Sequence, residues 1–359
     1  MAGKRTGPNL SKIAEALGVS SATVSNALSG KGRVSADLVK KIRKKAGEMG
    51  YVPSRAGRAL RTGRSGVLGL VLPDIGNPLF PQIAQAMERA AATNDYGVLI
   101  ADSRDDVTTQ TDAIGRLIER GVDGLIVIPR RGTRIGTVGC PVAMIDTPST
   151  PGNTVSADHW QAGEQIARHL MELGHKNILL LGNDPASNVQ NDRIGGMKAA
   201  FKRDISCQTL WLQPLLRKGG TAASLNLSER ISQGVSAIAT VSDLLALRVL
   251  TELQTAGFQV PTQVSVTGFD DLIFSPVISP ALTTVRMNMS QIANIAVAAL
   301  IDEINGNRDP KPKTSLQKKR TVPDTVMADT SRVPMELIIR SSTGPAPFDQ
   351  TPHSNGETL

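Results

Sequence analysis

Val19–Gly30 reads VSSATVSNALSG. Val24, Ala27 and Leu28 recur at helical spacing and form one apolar stripe. Ala22, Ser25, Asn26 and Ser29 fall on the opposite face, with Ser21 at its edge, so the outer face carries no charge. Ser20 is placed to cap this helix, its hydroxyl accepting an N–H of the first turn. Val19 before the cap and Val24 after it are spaced as a hydrophobic staple. Upstream, Leu10, Ile13, Ala14 and Leu17 predict an earlier helix that Gly18 ends. Downstream, Ser35 starts a third, with Leu38, Val39, Ile42, Ala46 and Met49 apolar, and Gly50 and Pro53 stop it. Two short helices joined through a glycine turn and braced by a third describe a helix-turn-helix. That unit lays the first residues of its second helix against base edges in a major groove, and close approach calls for small and amide side chains. The same three helices would also serve a protein-interaction module.

The charge around this stretch favours the first reading. Residues 1–64 hold 14 Lys and Arg against Glu15, Asp37 and Glu48, a net of +11. The 359-residue chain is +8 in total, so residues 65–359 carry −3. A compact basic segment ahead of a mildly acidic body suits a polyanion, either nucleic acid or an anionic membrane. On duplex DNA such cations neutralise phosphates and supply affinity without reading sequence. No run of 18 apolar residues is present, so a spanning helix is not expected. The N-terminus lacks the apolar core of a secretory signal. Cys140 and Cys207 have no metal-ligand spacing and fit a reducing cytosol. The expected location is cytoplasmic, associated with the nucleoid and not with a membrane.

Pro53–Gly66, PSRAGRALRTGRSG, links front to body, with Arg55, Arg58, Arg61 and Arg64 every third residue. Gly57 lowers helix propensity by roughly 1 kcal/mol relative to alanine, and a helix this short is marginal alone. From its residues the segment reads as a solvated basic linker.

From Gly66 onward, apolar runs alternate with helical stretches such as Phe80–Thr93 and Leu244–Thr255. The runs include GVLGLVLPD, YGVLIADS, VDGLIVIP, VAMID, NILLLGN, AIATVSD and VSVTGFDD. This rhythm predicts an α/β body of parallel sheets covered on both faces. The strands are too numerous for one small sheet, so two doubly wound lobes are expected behind the all-α front. Ligands of such sheets bind beyond the carboxyl ends of the strands. There lie Asp74, Asn77, Asp102, Asp146, Asp158, Asn183, Asp243, and Asp270 with Asp271. Asp and Asn at these places also cap the next helix. Facing each other across a cleft, they would suit a hydroxyl-rich ligand, with an aromatic ring over its apolar face. No G-x-G-x-x-G, G-x-S-x-G or Walker A stretch is present, and His159, His169, His175 and His353 lack metal spacing. No catalytic role, metal or cofactor is expected.

Lys12–Ser54, KIAEALGVSSATVSNALSGKGRVSADLVKKIRKKAGEMGYVPS, resembles the N-terminal domain of the lactose-repressor/galactose-repressor (LacI/GalR) family. The matching positions are Ala14, Gly18, Val19, Ser20, Thr23, Val24, Ser25, Leu28, Gly30, Val34, Gly50, Tyr51 and Pro53. The resemblance runs through the hinge and body to about Thr343. It implies a sequence-specific transcription regulator, most simply a repressor, that binds double-stranded operator DNA as a homodimer. Ser20, Ser21, Ala22, Thr23, Ser25 and Asn26 would face DNA, with Ser21, Ala22 and Asn26 at base edges. Arg55, Arg58 and Leu60 would act from a hinge helix that orders on the operator, Leu60 wedging into the minor groove. Ser54 stands where asparagine is common and Gly57 where alanine is common, and both make this hinge floppier.

For the body, the resemblance implies lobes like those of periplasmic sugar-binding proteins, about 66–158 with 287–330 and about 159–286 with 331–343. The domains are then 1–52 for DNA binding, 53–65 as hinge, 66–343 for effector binding and dimerisation, and 344–359 as a disordered tail. Gln317–Pro334 is expected to be an extended loop. The effector residues implied are Asn77, Phe80, Asp146, Asp158, Arg193, Asp243 and Asp271, with Gly196 close-packed at a helix start and Phe80 or Trp160 as a cover. Ser242 and His159 replace asparagines of the pattern, and Leu215 stands at an often aromatic position. A carbohydrate is therefore favoured over a purine. A purine-responsive regulator, an activator, and a transport-type sugar-binding protein without regulatory role are the other readings. The last would need a signal peptide and no front domain.

Overall fold

Asn9 opens the first helix, its Oδ1 accepting the Lys12 N–H at 2.9 Å. The computed structural model describes residues 9–29, 32–51, 63–133, 135, 138–220, 224–306 and 332–347. The chain divides into two units, Met1–Ser65 and Gly66–Leu359.

In the front unit, α1 spans Leu10–Leu17 and ends at Gly18, whose φ of 65° is left-handed. Glycine adopts that conformation without the steric cost a side chain would add. Ser20 Oγ accepts the Thr23 N–H at 3.1 Å and starts α2, Ser21–Ser29. Ser35 Oγ accepts the Leu38 N–H at 3.4 Å and starts α3, Ala36–Glu48. Ile13, Ala14, Val24, Ala27, Ile42 and Ala46 are buried together, with Val19 and Leu28 packed against them. Both expected caps and the expected stripe are present.

The body begins with β1 (Val67–Leu72), α4 (Leu79–Ala92), β2 (Gly97–Asp102), α5 (Val107–Glu119), β3 (Gly124–Val127), β4 (Val142–Ile145) and β5 (Asn153–Ala157). It continues with α6 (His159–Glu172), β6 (Asn177–Gly182), α7 (Asn188–Ala200), β7 (Ser206–Trp211), α8 (Leu212–Gly219), α9 (Leu227–Ser232), β8 (Ala237–Thr240), α10 (Asp243–Thr255) and β9 (Ser265–Thr267). It closes with β10 (Thr284–Met287), α11 (Met289–Ile304), β11 (Arg332–Val333) and β12 (Met335–Ile338). The first lobe has a parallel sheet in the order β11-β5-β4-β3-β1-β2, and the second a parallel sheet in the order β7-β6-β8-β9. Sheet residues such as Leu70, Ile126, Leu180 and Ile238 are buried under helices, so the strands read as continuous apolar runs. Late in the chain, α11 packs on α4 and over β3, β4 and β5, which completes the first lobe.

Among the described residues the chain crosses between lobes three times. It leaves the first after β5, returns after β10, and leaves again after β11. The last two crossings pair with each other, Thr284–Met287 antiparallel to Met335–Ile338. Two expectations are corrected here. Arg332 and Val333 pair with Ser156 and Ala157 in the first lobe's sheet, so residues 331–343 do not all belong to the second lobe. The same two residues are strand, although Gln317–Pro334 reads as loop; its portion up to residue 331 lies outside the described residues. The expected disordered tail also starts too early. Gly344 N–H donates to Ser265 Oγ at 3.0 Å and Ala346 N–H to Leu173 O at 2.8 Å. Buried His175 accounts for this: Nδ1 lies 2.9 Å from Ser236 Oγ, and Nε2 lies 3.0 Å from Ser265 Oγ and 3.1 Å from the Gly344 carbonyl. Residues 348–359 lie outside the described residues.

Candidate functional site

Of the outer face expected on α2, the Ser29 side chain lies outside the described residues. Ser20, Ser21, Ala22 and Asn26 are exposed, and Thr23 and Ser25 are half-buried. Ser20 and Thr23 share a hydroxyl–hydroxyl hydrogen bond of 2.9 Å, which engages both in capping. The Asn26 amide lies beside Gly32, where a Cβ would come within 3.2 Å of Nδ2. Ser21 and Ala22 stand at the exposed start of the helix. Arg55, Arg58 and Leu60 lie outside the described residues.

In the body a cleft of about 500 Å³ opens between the lobes, a size suited to a small ligand. Asn77, Phe80 and Asp146 line it from the first lobe and Arg193 from the second. The position of Arg193 follows from glycine. On α6 a Cβ at Gly163 would strike the Arg193 carbonyl, and on α7 a Cβ at Gly196 would strike the Trp160 carbonyl. The two helices therefore touch backbone to backbone, and Arg193 is held at the cleft wall. Its Nε donates to His159 Nδ1 at 3.3 Å, its Nη1 donates to Val241 O at 2.6 Å, and its Cζ lies 4.5 Å from the centroid of Phe269.

Arg193 Nη2 stands 2.9 Å from Asp270 Oδ1. The contact is a buried ion pair, and Oδ1 is engaged by the guanidinium and shut off from solvent. Asp270 is buried and lines the cleft. Burial pushes its carboxyl up, against the pull of the Arg193 guanidinium. Burial, and then the Arg193 charge, hold His159 well below the ordinary histidine range. His159 is thus neutral, with Nδ1 as acceptor and the proton on Nε2. A buried carboxylate, a fixed guanidinium and a neutral imidazole line one wall of the cleft and can meet ligand hydroxyls as acceptor and donor. Asn188 and Gln190 line the cleft without a signal in the sequence, whereas Asp270 stands among the strand-end acids and His159 at a departure from the family pattern. The GFDD doublet after β9 marks this place; the resemblance implies its second carboxylate, Asp271, and the structure puts the first at the cleft.

Three expected effector residues do not line the cleft. Asp243 points into the protein, where Leu272 N–H (2.8 Å), Ser275 Oγ (2.6 Å) and Thr284 Oγ (2.5 Å) donate to it. As the first residue of α10, after the Ser242 cap, it turns toward β9 and not outward. Burial and the nearby Asp270 charge push its carboxyl up to about 7, against these hydrogen bonds. Asp271 accepts from Arg286 Nε at 2.7 Å and Arg340 Nη2 at 2.6 Å, so it ties the crossing strands. Asp158 caps α6, accepting the Gln161 N–H at 3.0 Å, and borders a separate hollow with Trp160 and Asp192. Trp160 faces that hollow with its ring against Gly195, so it does not cover the cleft; Phe80 remains placed to do so. A wider trough of about 810 Å³ lies between α9 and α10 of the second lobe. It lacks the convergent buried charges of the cleft. Among the described residues no group of acidic, histidine or cysteine side chains is placed to hold a metal, and no helix is long and apolar enough to cross a membrane.

Known proteins share this arrangement. Residues 9–54 match the family described as bacterial regulatory proteins, lacI family, and residues 167–343 match a periplasmic binding protein-like domain. The HTH-type transcriptional regulator reg1 of Streptomyces lividans is 30% identical over 95% of this chain and 98% of its own length. The chain belongs to the lacI family of bacterial regulatory proteins. It is a DNA-binding transcriptional regulator with a small-molecule effector. The repressor CytR of Escherichia coli (strain K12) is 26% identical over 96% of this regulator and 98% of its own length. Among solved structures, the lac repressor dimer bound to operator and the anti-inducer ONPF superposes with a TM-score of 0.73 at 22% identity, over 94% of this chain and all of that one. The transcriptional regulator CelR–cellobiose complex superposes with a TM-score of 0.61 at 22% identity, over 93% of this chain and 99% of that one.

Proposed function

We propose that this regulator is a repressor that binds a pseudo-palindromic operator as a homodimer and answers to a neutral carbohydrate held in the cleft. The observation that carries the effector reading is the buried Arg193–Asp270 pair at the cleft wall, with a neutral His159 beside it. Hydroxyl groups suit that set as both donors and acceptors. Leu215 is packed against the core, and Phe80 is the aromatic side chain that lines the cleft, which supports a sugar over a stacked purine. Asn77, Phe80, Asp146 and Arg193 act with His159, Asn188 and Asp270 as ligand contacts in this reading. CelR, which was solved with cellobiose, has the same fold.

Residues 1–52 act as the DNA-binding domain, 53–65 as the hinge, and the body from Gly66 as the effector and dimerisation domain. Ser21, Ala22 and Asn26 read base edges, and Ser20, Thr23 and Ser25 support them. Arg55, Arg58 and Leu60 join them on the family resemblance alone. A nucleoid-associated, cytoplasmic location follows from the DNA partner. Apolar side chains left in solvent support the homodimer: Leu99 and Ile100 on the edge strand β2, and Ile273 and Val277 after β9, which are 81% and 78% exposed. The experiment is a thermal-shift screen of neutral mono- and disaccharides, followed by operator titration with each hit. A sugar that stabilises the protein and changes operator affinity is expected. A ligand at about a hundred times its dissociation constant stabilises by roughly 2.7 kcal/mol. Stabilisation by purine bases with none by sugars would overturn the carbohydrate assignment.

A further inference from the structure

One guanidinium joins the two lobes at the cleft. Arg130 follows β3 in the first lobe and lines the cleft with Asp105 and Asp184. Its Nη1 pairs with Asp105, also of the first lobe. Its Nη2 lies 3.1 Å from Asp184 Oδ2, in the second lobe just past β6. One side chain thus spans carboxylates of both lobes.

All three members are held from behind. Gln110, on α5, is fully buried. Its Oε1 accepts the Arg130 N–H at 2.9 Å and the Thr133 hydroxyl at 2.5 Å, and its Nε2 donates to Ile128 O at 3.1 Å. The loop carrying Arg130 is therefore fixed to α5 by one amide whose donor and acceptor are both engaged. Arg104 and Asp105 are consecutive left-handed residues, with φ of 50° and 59°. Neither is glycine, so the backbone is strained to present the Asp105 carboxylate. Asp184 is nearly buried; its Oδ1 accepts the Ala186 N–H at 2.9 Å, and its own N–H donates to Gln190 Oε1 at 3.0 Å. A planar fork between two carboxylates, each fixed by its own lobe, holds one spacing of those lobes. A second crossing, Asn188 Nδ2 to Asp146 Oδ2 at 3.4 Å, is longer and between less strongly charged partners.

We propose that Arg130 is a positioning residue for the effector response: through Asp184 it latches the second lobe to the first and sets how closed the cleft stands before ligand arrives. The link to effector rests on the function proposed above, while the latch itself does not. A ligand that contacts both lobes binds the latched arrangement, so opening the latch lowers its apparent affinity in proportion to the closed fraction lost.

The test uses the full chain with no ligand. Spin labels on Glu88→Cys (α4) and Lys198→Cys (α7), with Cys140→Ser and Cys207→Ser, report the interlobe distance. Arg130→Gln and Asp184→Asn should each broaden the distribution and shift it to longer distances. The double variant should go no further than either single one, because both break the same link. Asp105→Asn should leave the distribution close to that of the parent, since Asp105 and Arg130 share a lobe. That contrast separates a latch from general loosening. Distributions for Arg130→Gln and Asp184→Asn that superpose on the parent's would overturn the proposal, as would a full shift with Asp105→Asn alone. With a sugar found in the thermal-shift screen, Arg130→Gln should weaken binding by about tenfold. Failure of every sugar to bind would remove the effector reading, and the ligand-free distances would still decide the latch.

Discussion

Asp270 sits close enough to Asp243 to raise its proton affinity, yet the structure gives the two opposite tasks. Asp270 lines the cleft paired with Arg193, whereas Asp243 is consumed by three donors in the interior. Asp270→Asn should therefore reduce effector affinity tenfold or more, since a hydrogen bond to a charged group contributes roughly 1.5–3 kcal/mol. Asp243→Ala should leave effector affinity within a few-fold and lower stability by about 1–3 kcal/mol, because its donors lose their acceptor. Titration calorimetry beside melting curves separates the two, and the reverse assignment of effects would refute it. Asp243 also predicts a pH signature. Its folded pKa of about 7 lies above the unfolded value near 3.8, so between these the folded state binds more protons. Its contribution to stability is favourable at low pH and is lost as pH rises from about 4 to 7. Buried His159, His169 and His175, all pushed down by burial, act the other way below about 6.5. Melting temperatures of the wild type minus those of Asp243→Asn isolate the carboxyl: the difference should fall with pH up to about 7 and flatten above it. These roles were only half legible in the sequence. Of the strand-end residues, Asp74, Asn77, Asp146, Asn183 and Asp270 line the cleft, and Asp102, Asp158, Asp243 and Asp271 do not. Which of two neighbours faces it depends on how a helix start meets the next strand, and Asp270 and Asp271, one residue apart, point to different partners.

The second helix of the front unit was legible almost completely, because caps, turn and stripe are all local features. Ser20, Gly18 and Val24 carry out the tasks that their chemistry suggests. Exchanging Ser21, Ala22 and Asn26 together should change the preferred operator in a selection from random duplexes, with little change in melting temperature for these exposed positions. An unchanged consensus would reject the base-reading role. The loop after β9 was not legible, since its apolar residues Ile273 and Val277 resemble core residues in a string of letters. In the structure they stand in solvent, while Asp243 pins the neighbouring Leu272 and Ser275. Ile273→Glu with Val277→Lys should shift sedimentation toward a monomer and weaken operator binding at low protein concentration. A dimer of unaltered affinity would exclude this loop from the interface.

At the scale of the molecule, charge and topology divide the work. The front carries +11 and the remainder −3, so operator affinity should fall steeply with salt, with a logarithmic slope of about −0.9 per phosphate neutralised. Residues 66–359 alone should lose DNA binding and keep the thermal shift with sugar; equal DNA affinity of both chains would place the contact elsewhere. The alternation of apolar runs showed two doubly wound lobes but not the exact crossing points, because two residues, Arg332 and Val333, suffice to return a strand to the first sheet. That return has a consequence for synthesis. The first lobe's sheet starts at Val67 and lacks its last strand until Val333. A ribosome therefore releases the helix-turn-helix head early and must reach Val333 before the sheet of the first lobe is complete. Chains halted in between carry a head with no regulated body, and their half-built sheets expose apolar faces that chaperones and proteases recognise.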